Sequence, residues 1–328
     1  MIFLISKLDF ANRMKYPSPN PRRLLHILVS VGVLLASQFA LKAITIQIDY
    51  SHDDNNFFGS SGSTQRTVIE AAASYVGSLI LDDLDAIEPD VAYFGGAGNQ
   101  WEVSFDDPAN STGTLFEDFL TVPADTIIVF AGGANLSGAT LAQAGFGSAE
   151  FIGTPAFGTT VGTRGEIGPA ADEFSTWGGF LSVDTSGPIW DYSLDNSTLG
   201  VGETHFYSLM LHELGHVVGL GTAPSWMNRI SASTFTGTEA SALYGSAVPT
   251  FEGDHYANSV TSDIFGSSNS QTAALVANLP PNETRFFTEI DVAALDDIGW
   301  DVVSAPIPEP SSITLLALSA ASLLRRRR

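Results

Sequence analysis

THFYSLMLHELGHVVGLGT, residues Thr204 to Thr222, sets Phe206, Leu209, Met210, Leu214, Val217 and Val218 at helical spacing around His212, Glu213 and His216. An apolar stripe of that kind predicts a helix buried in a core. His212 and His216 are four residues apart, so they stand on one helix face, one turn above each other. Two imidazole nitrogens so placed can grip one zinc ion at about 2.0–2.1 Å each. Glu213 lies on the adjacent side of the same turn, where its carboxylate can take a proton from water without binding the metal. Gly219, three residues after His216, predicts a left-handed residue that stops the helix. The bland alternative is an amphipathic helix with two surface histidines. With only six histidines in the chain, two around a glutamate in this apolar setting favour the metal reading.

Composition narrows the rest. The chain has 328 residues and no cysteine, which excludes disulfides, thiolate zinc ligands and a cysteine nucleophile. Between Ile44 and Ser304 there are 34 of the 36 acidic residues, four arginines (Arg66, Arg164, Arg229, Arg285) and no lysine, a net charge of about −30. Such a surface repels nucleic acid and anionic lipid. Calcium binding is one use for this acidity, and solubility in salty surroundings is the simpler one. Both ends carry addressing patterns. Lys15, Arg22 and Arg23 precede an apolar run from Leu24 to Ala43, read as a signal peptide over residues 1–43 with Met14 as the start. A retained membrane anchor is the rival, but Ser30, Ser37, Gln38 and Lys42 interrupt the run.

Residues 44–304 are expected to form one domain, with an upper part over 44–221 and a loop-rich lower part over 222–304. ITIQIDY (Ile44 to Tyr50), Trp101 to Phe105, Thr126 to Phe130 and Thr176 to Asp184 are predicted strands. Helices are predicted over Thr67 to Leu84 and Thr288 to Asp297, the latter with Thr288 as cap. Gly132 to Gly168 is read as loops and short strands, with Phe146, Phe151 and Phe157 buried. The order of elements predicts an α+β fold, a twisted mixed sheet packed on two helices.

A catalytic zinc keeps three protein ligands. Six residues after His216 stands Thr222, a poor ligand. His205 is seven residues before His212, about 10 Å along the same helix, and reads as a helix-start histidine. His52 sits in an N-terminal polar loop and His26 in the signal. Glu239, 23 residues after His216, remains an alternative as a glutamate from a second helix. His255, in FEGDHY, lies in a stretch free to fold back under the metal and is the preferred third ligand.

HELGHVVGLG followed by TAPSW, then FTGTEASALYG, VPTFEGDHY and FTEIDVAALDDIGW, together resemble bacterial metzincin-type zinc metalloproteases. Leishmanolysin is the best-known relative with an insertion before the third histidine. WGGFLSVDTSGPIW is similar to the matrixin stretch in which an edge strand binds substrate. The resemblance implies zinc on His212, His216 and His255, Glu213 as general base and acid, and a peptide lying antiparallel to an edge strand. It also implies a methionine turn beneath the metal. The four methionines, Met1, Met14, Met210 and Met227, are elsewhere, and Leu275 stands at the turn position. Leucine keeps an apolar floor but lacks the polarizable thioether.

IPEPSSITLLALSAASLLRRRR resembles the PEP-CTERM sorting signal, assigned to residues 305–328. Its apolar part, Ile313 to Leu324, is short for a permanent span. That resemblance implies an exosortase as partner and delivery to the envelope or extracellular matrix of a Gram-negative bacterium. The functional expectation is a secreted or surface-sorted zinc endopeptidase acting on protein or peptide. A decayed metalloprotease scaffold serving as a surface protein is the alternative. A calcium-dependent adhesin rests only on acidic stretches such as Asp49 to Asn56.

Overall fold

Every residue of the run Thr126–Ala134 is buried, with no alternation of polar side chains. That is the pattern of a strand covered on both faces, and it is the centre of the molecule. The computed structural model describes residues 43–304, apart from 111 and 169–170. The assignments made for residues 1–42 and 305–328 lie outside these. In chain order the first elements are β1 (Thr45–Asp49), α1 (Thr64–Leu79), β2 (Gln100–Asp106), β3 (Thr114–Asp118) and β4 (Thr126–Ala134). There follow β5 (Ala142–Phe146), β6 (Ser148–Ile152), α2 (Pro155–Thr163), β7 (Gly178–Asp184), β8 (Trp190–Asp191), β9 (Thr204–His205) and α3 (Phe206–Val217). Then come α4 (Pro224–Met227), β10 (Ile230–Ser231), β11 (Thr234–Phe235), α5 (Thr238–Tyr244), β12 (Val248–Phe251) and β13 (His255–Tyr256). The last are β14 (Thr261–Asp263), β15 (Ser270–Thr272) and α6 (Glu289–Asp297). The fold is mixed α+β, with several sheets and few helices.

The main sheet has the order β1-β4-β7-β5. β1 and β7 run parallel to β4, and β5 closes the edge antiparallel to β7. On one face Ile127, Val129 and Ala131 of β4 meet Val68, Ile69 and Val76 of α1 and Leu209, Met210 and Leu214 of α3 in one core. On the other face Ile128 and Phe130 meet Trp101, Val103 and Phe105 of the antiparallel sheet β3-β2-β6. Phe105 stacks on Phe130 with centroids 4.4 Å apart. Each such side chain, fully buried, contributes about 1.5–3 kcal/mol.

The structure revises four expectations. WGGFLSVD was expected to supply the edge strand, yet β7 lies between β4 and β5, buried almost throughout, and the edge belongs to β5. α1 starts at Thr64, capped by Ser63, and stops at Leu79. Beyond it Ile80 bridges Val302 and Leu81 N–H bonds Asp301 O at 2.7 Å, so the tail satisfies the backbone that a longer helix would have used. The stretch Gly132 to Gly168 contains α2, whose cap Thr154 and N1 Pro155 are ordinary start signals. Gly158, Gly162 and a run of threonines masked it. Of its three phenylalanines Phe157 is buried, Phe146 partly so, and Phe151 is exposed.

Arg164 ends α2 and is fully buried. Its guanidinium donates to the carbonyls of Asp85, Thr126, Thr176 and Pro123 at 2.6–3.2 Å, tying four segments together. Burial lowers its pKa to about 10. Among the described residues no helix is long and apolar enough to cross a membrane.

Candidate metal centre

α3 presents His212, Glu213 and His216 much as its sequence predicts, and the helix is held at both ends. His205 is its cap: Ser208 N–H and Ser208 Oγ–H both point to His205 Nδ1, at 3.3 and 2.7 Å. Nδ1 therefore accepts, and the ring proton sits on Nε2. At the other end Gly219 has φ 98°, Thr222 Oγ1 donates to His216 O at 2.7 Å, and Trp300 Nε1 donates to Val218 O.

His255 arrives from a hairpin. β12 and β13 pair antiparallel through Phe251↔His255, with Glu252 and Gly253 left-handed at the turn. Buried Trp226 donates from Nε1 to Gly253 O at 2.8 Å and anchors that turn. Gly221 (φ 76°) makes the approach possible, since a Cβ there would stand 2.0 Å from Asp254 O.

The three imidazoles converge. His216 Nε2 lies 3.0 Å from His212 Nε2 and 3.1 Å from His255 Nε2. The other ring nitrogens are all committed: His212 Nδ1–H donates to Ala274 O at 2.7 Å and His216 Nδ1–H to Leu220 O at 2.8 Å. His255 Nδ1–H donates to Asp254 Oδ1 at 2.9 Å. Carbonyl and carboxylate oxygens only accept, so each proton is on Nδ1 and each Nε2 turns a lone pair inward. Protonating the rings is disfavoured, because burial and then the neighbouring imidazoles hold His212 well below its usual value and His216 at about 4. Three lone pairs facing one point call for a cation. Nitrogens around a tetrahedral ion with 2.0–2.1 Å bonds stand about 3.3 Å apart, close to what is found. The donor set fits a divalent metal. Among the described residues these are the one group of three or more His, Cys, Asp or Glu side chains with ligand atoms within 4.8 Å of one another.

The other candidates stand elsewhere. Glu239 is exposed on α5, its N–H bonded to Asp297 Oδ1. His52 pairs with Glu117 at 3.0 Å and packs edge-on against the stacked rings of Phe105 and Phe130. In the acidic stretch Asp49 to Asn56, Asp53 spends both oxygens on the N–H groups of Phe57, Phe58 and Gly133. Glu213 is buried at 4 % exposure, and burial raises its carboxyl to about 8.

Beneath His212 lies the segment carrying Leu275, itself buried. Asp291, fully buried on α6, accepts Ala274 N–H at 2.9 Å and Leu275 N–H at 3.1 Å. It also closes the capping box of α6 through Thr288 N–H and Oγ–H. One carboxylate thus fixes both the last helix and the carbonyl that orients His212. The sequence showed the cap but not this second duty. In front of the imidazoles opens a cavity of about 640 Å³. Residues of the edge strand β5, Phe180, Val276 to Leu279 and Arg285 are among those that line it.

No curated protein and no solved structure matches this chain. Residues 306–328 match the family model of the PEP-CTERM protein-sorting motif. The chain thus carries a signal for exosortase recognition, export and cell-surface sorting in Gram-negative bacteria.

Proposed function

We propose that the protein is a surface-sorted zinc endopeptidase of metzincin type. The observation that carries this reading is the convergence of three Nε2 lone pairs beside a buried glutamate at the floor of an open cleft. His212, His216 and His255 would hold the metal. When bound, zinc there supplies Lewis acidity toward a carbonyl and toward water. Within reach of a divalent cation the pKa of the Glu213 carboxyl falls, which favours the ionised form that a base needs. Glu213 then takes the proton of the attacking water and delivers it to the leaving amine. A peptide is held in the cleft between the 44–221 and 222–304 parts, extended along the free edge of β5, with Phe180 beneath it.

The test is metal analysis of residues 44–304 together with casein digestion with and without chelator. Glu213→Gln is expected to keep the metal and lose hydrolysis by about 10²–10⁴-fold, the usual worth of a general base. Cleavage by this variant at the parent rate would refute the assignment. The second reading, a non-catalytic surface scaffold, is favoured by Leu275 at the turn position. It predicts metal without hydrolysis in the parent chain.

A further inference from the structure

The cavity lining holds one arginine, Arg285, and three carboxylates, Asp106, Glu213 and Asp254. Near the helix start lies Arg285, whose backbone N–H donates to Ser208 Oγ at 2.7 Å. Near the helix end lies Asp254, bonded to His255. Ser208 and His216, which mark the two ends, are eight residues and about 12 Å apart along the helix.

Arg285 is 7 % exposed. Its Nη1 makes one long bond to Val276 O at 3.3 Å, and its Nη2 pairs at 3.2 Å with Glu283, whose side chain is half exposed. Its Nε is buried with no hydrogen-bond partner. The other three arginines of the domain are engaged elsewhere: Arg66 lies over the Tyr50 ring, Arg164 on its four carbonyls, and Arg229 on Ser225 O. Among the described residues Arg285 is the only arginine or lysine lining the cavity. A guanidinium taken out of water needs well-aligned acceptors, and a carboxylate offers two at once. A purely structural tie to Val276 accounts for Nη1 but not for the bare Nε or for the loose, solvent-facing counter-ion.

We propose that this end of the cavity binds an acidic side chain of the substrate, so that the enzyme cleaves beside Glu or Asp, with Arg285 as the specificity-determining residue. This inference rests on the peptidase reading. Glu283, whose side chain is half exposed, yields its place to the incoming carboxylate.

The experiment uses peptides differing only by Glu or Gln, with the change scanned over the positions flanking the cleaved bond. On the parent chain one position is expected where Glu raises kcat/KM about tenfold or more, the usual margin of a charge-assisted pair. Arg285→Gln should erase that preference, with its Tm recorded to show that it folds. Binding of the same peptides to Glu213→Gln, followed by fluorescence anisotropy, reads the pocket without hydrolysis and should favour the Glu peptide by a similar factor. Equal handling of Glu and Gln peptides by the parent chain overturns the proposal, as does a preference that survives Arg285→Gln. If nothing is cleaved but Glu213→Gln still prefers the Glu peptide, the peptidase reading fails and the pocket assignment stands.

Discussion

Asp291→Asn separates support of the metal centre from simple packing, because the side chain keeps its shape and loses one of its two acceptor oxygens. In the parent chain the carboxylate receives four hydrogens, from Thr288 N, Thr288 Oγ, Ala274 N and Leu275 N, at 2.6–3.1 Å. One oxygen receives three of them and the other only Leu275 N–H, so an amide that keeps the first turns its NH₂ toward Leu275 N–H. That buried N–H loses its partner at about 1–3 kcal/mol, and the donor set against it adds a cost of the same order. Against this, the carboxylate itself is strained by burial, which raises its pKa, so removing the charge returns part of the loss. The net expectation is a destabilisation of about 2–4 kcal/mol, or about 5–10 °C in Tm for a domain of this size. The Ala274 carbonyl that orients His212 shares a peptide group with Leu275 N–H and loosens with it, and loss of such outer support costs about 10–100-fold in metal affinity. The assay pairs thermal melts with competitive metal titration. Asp297→Asn is the control: its carboxylate receives Glu239 N–H and Ala240 N–H, both at 2.9 Å, from α5, remote from the segment under His212. It should lose stability and keep metal affinity. If both variants bind metal like the parent, the link from Asp291 through Ala274 to His212 is refuted.

His255→Ala should lose bound metal at micromolar concentration while His52→Ala, His205→Ala and Glu239→Ala retain it; the reverse pattern for Glu239 would remove His255 from the ligand set. Asp82 gives a pH signature: burial, then Glu166 and Asp301, raise its carboxyl to about 7. A pKa raised on folding contributes stability below the unfolded value of about 3.9, and that contribution is lost as pH rises toward 7. Asp82→Asn should therefore gain on the parent by about 1–3 kcal/mol between pH 4 and pH 8 in urea melts; a pH-independent difference would refute the shift. Arg164→Lys exchanges four carbonyl contacts for one point charge and should cost about 3–5 kcal/mol. A melt within 1–2 °C of the parent, worth less than about 1 kcal/mol, would show that the carbonyls find other donors.

What the sequence conveyed best was what one element settles by itself. The α3 stripe and its two histidines follow from the 3.6-residue period, and the helix forms where that period says. Thr126 to Phe130 reads as a strand and forms one, while its burial between two cores is seen only in the fold. Long-range pairing was harder. WGGFLSVD reads equally well as edge or interior, because both neighbours of β7 come from distant segments. His255 could be chosen by exclusion of the other histidines, but its approach depends on Gly221 and on Trp226 holding Gly253 O. The second duty of Asp291 and the bare Nε of Arg285 are properties of packing, which no local pattern encodes.

The placement of the arginines has a further consequence for a chain carrying an export signal. Proteases of trypsin type cut after arginine or lysine, and residues 43–304 contain no lysine and four arginines. Arg164 and Arg285 are buried, and Arg66 and Arg229 are partly covered, the first within α1. The folded domain therefore offers such enzymes no fully exposed cleavage point, and digestion has to wait for the chain to open. Limited trypsin digestion becomes a clock for opening of this domain. Amine-reactive cross-linkers, by the same composition, find no lysine anywhere in it to seize.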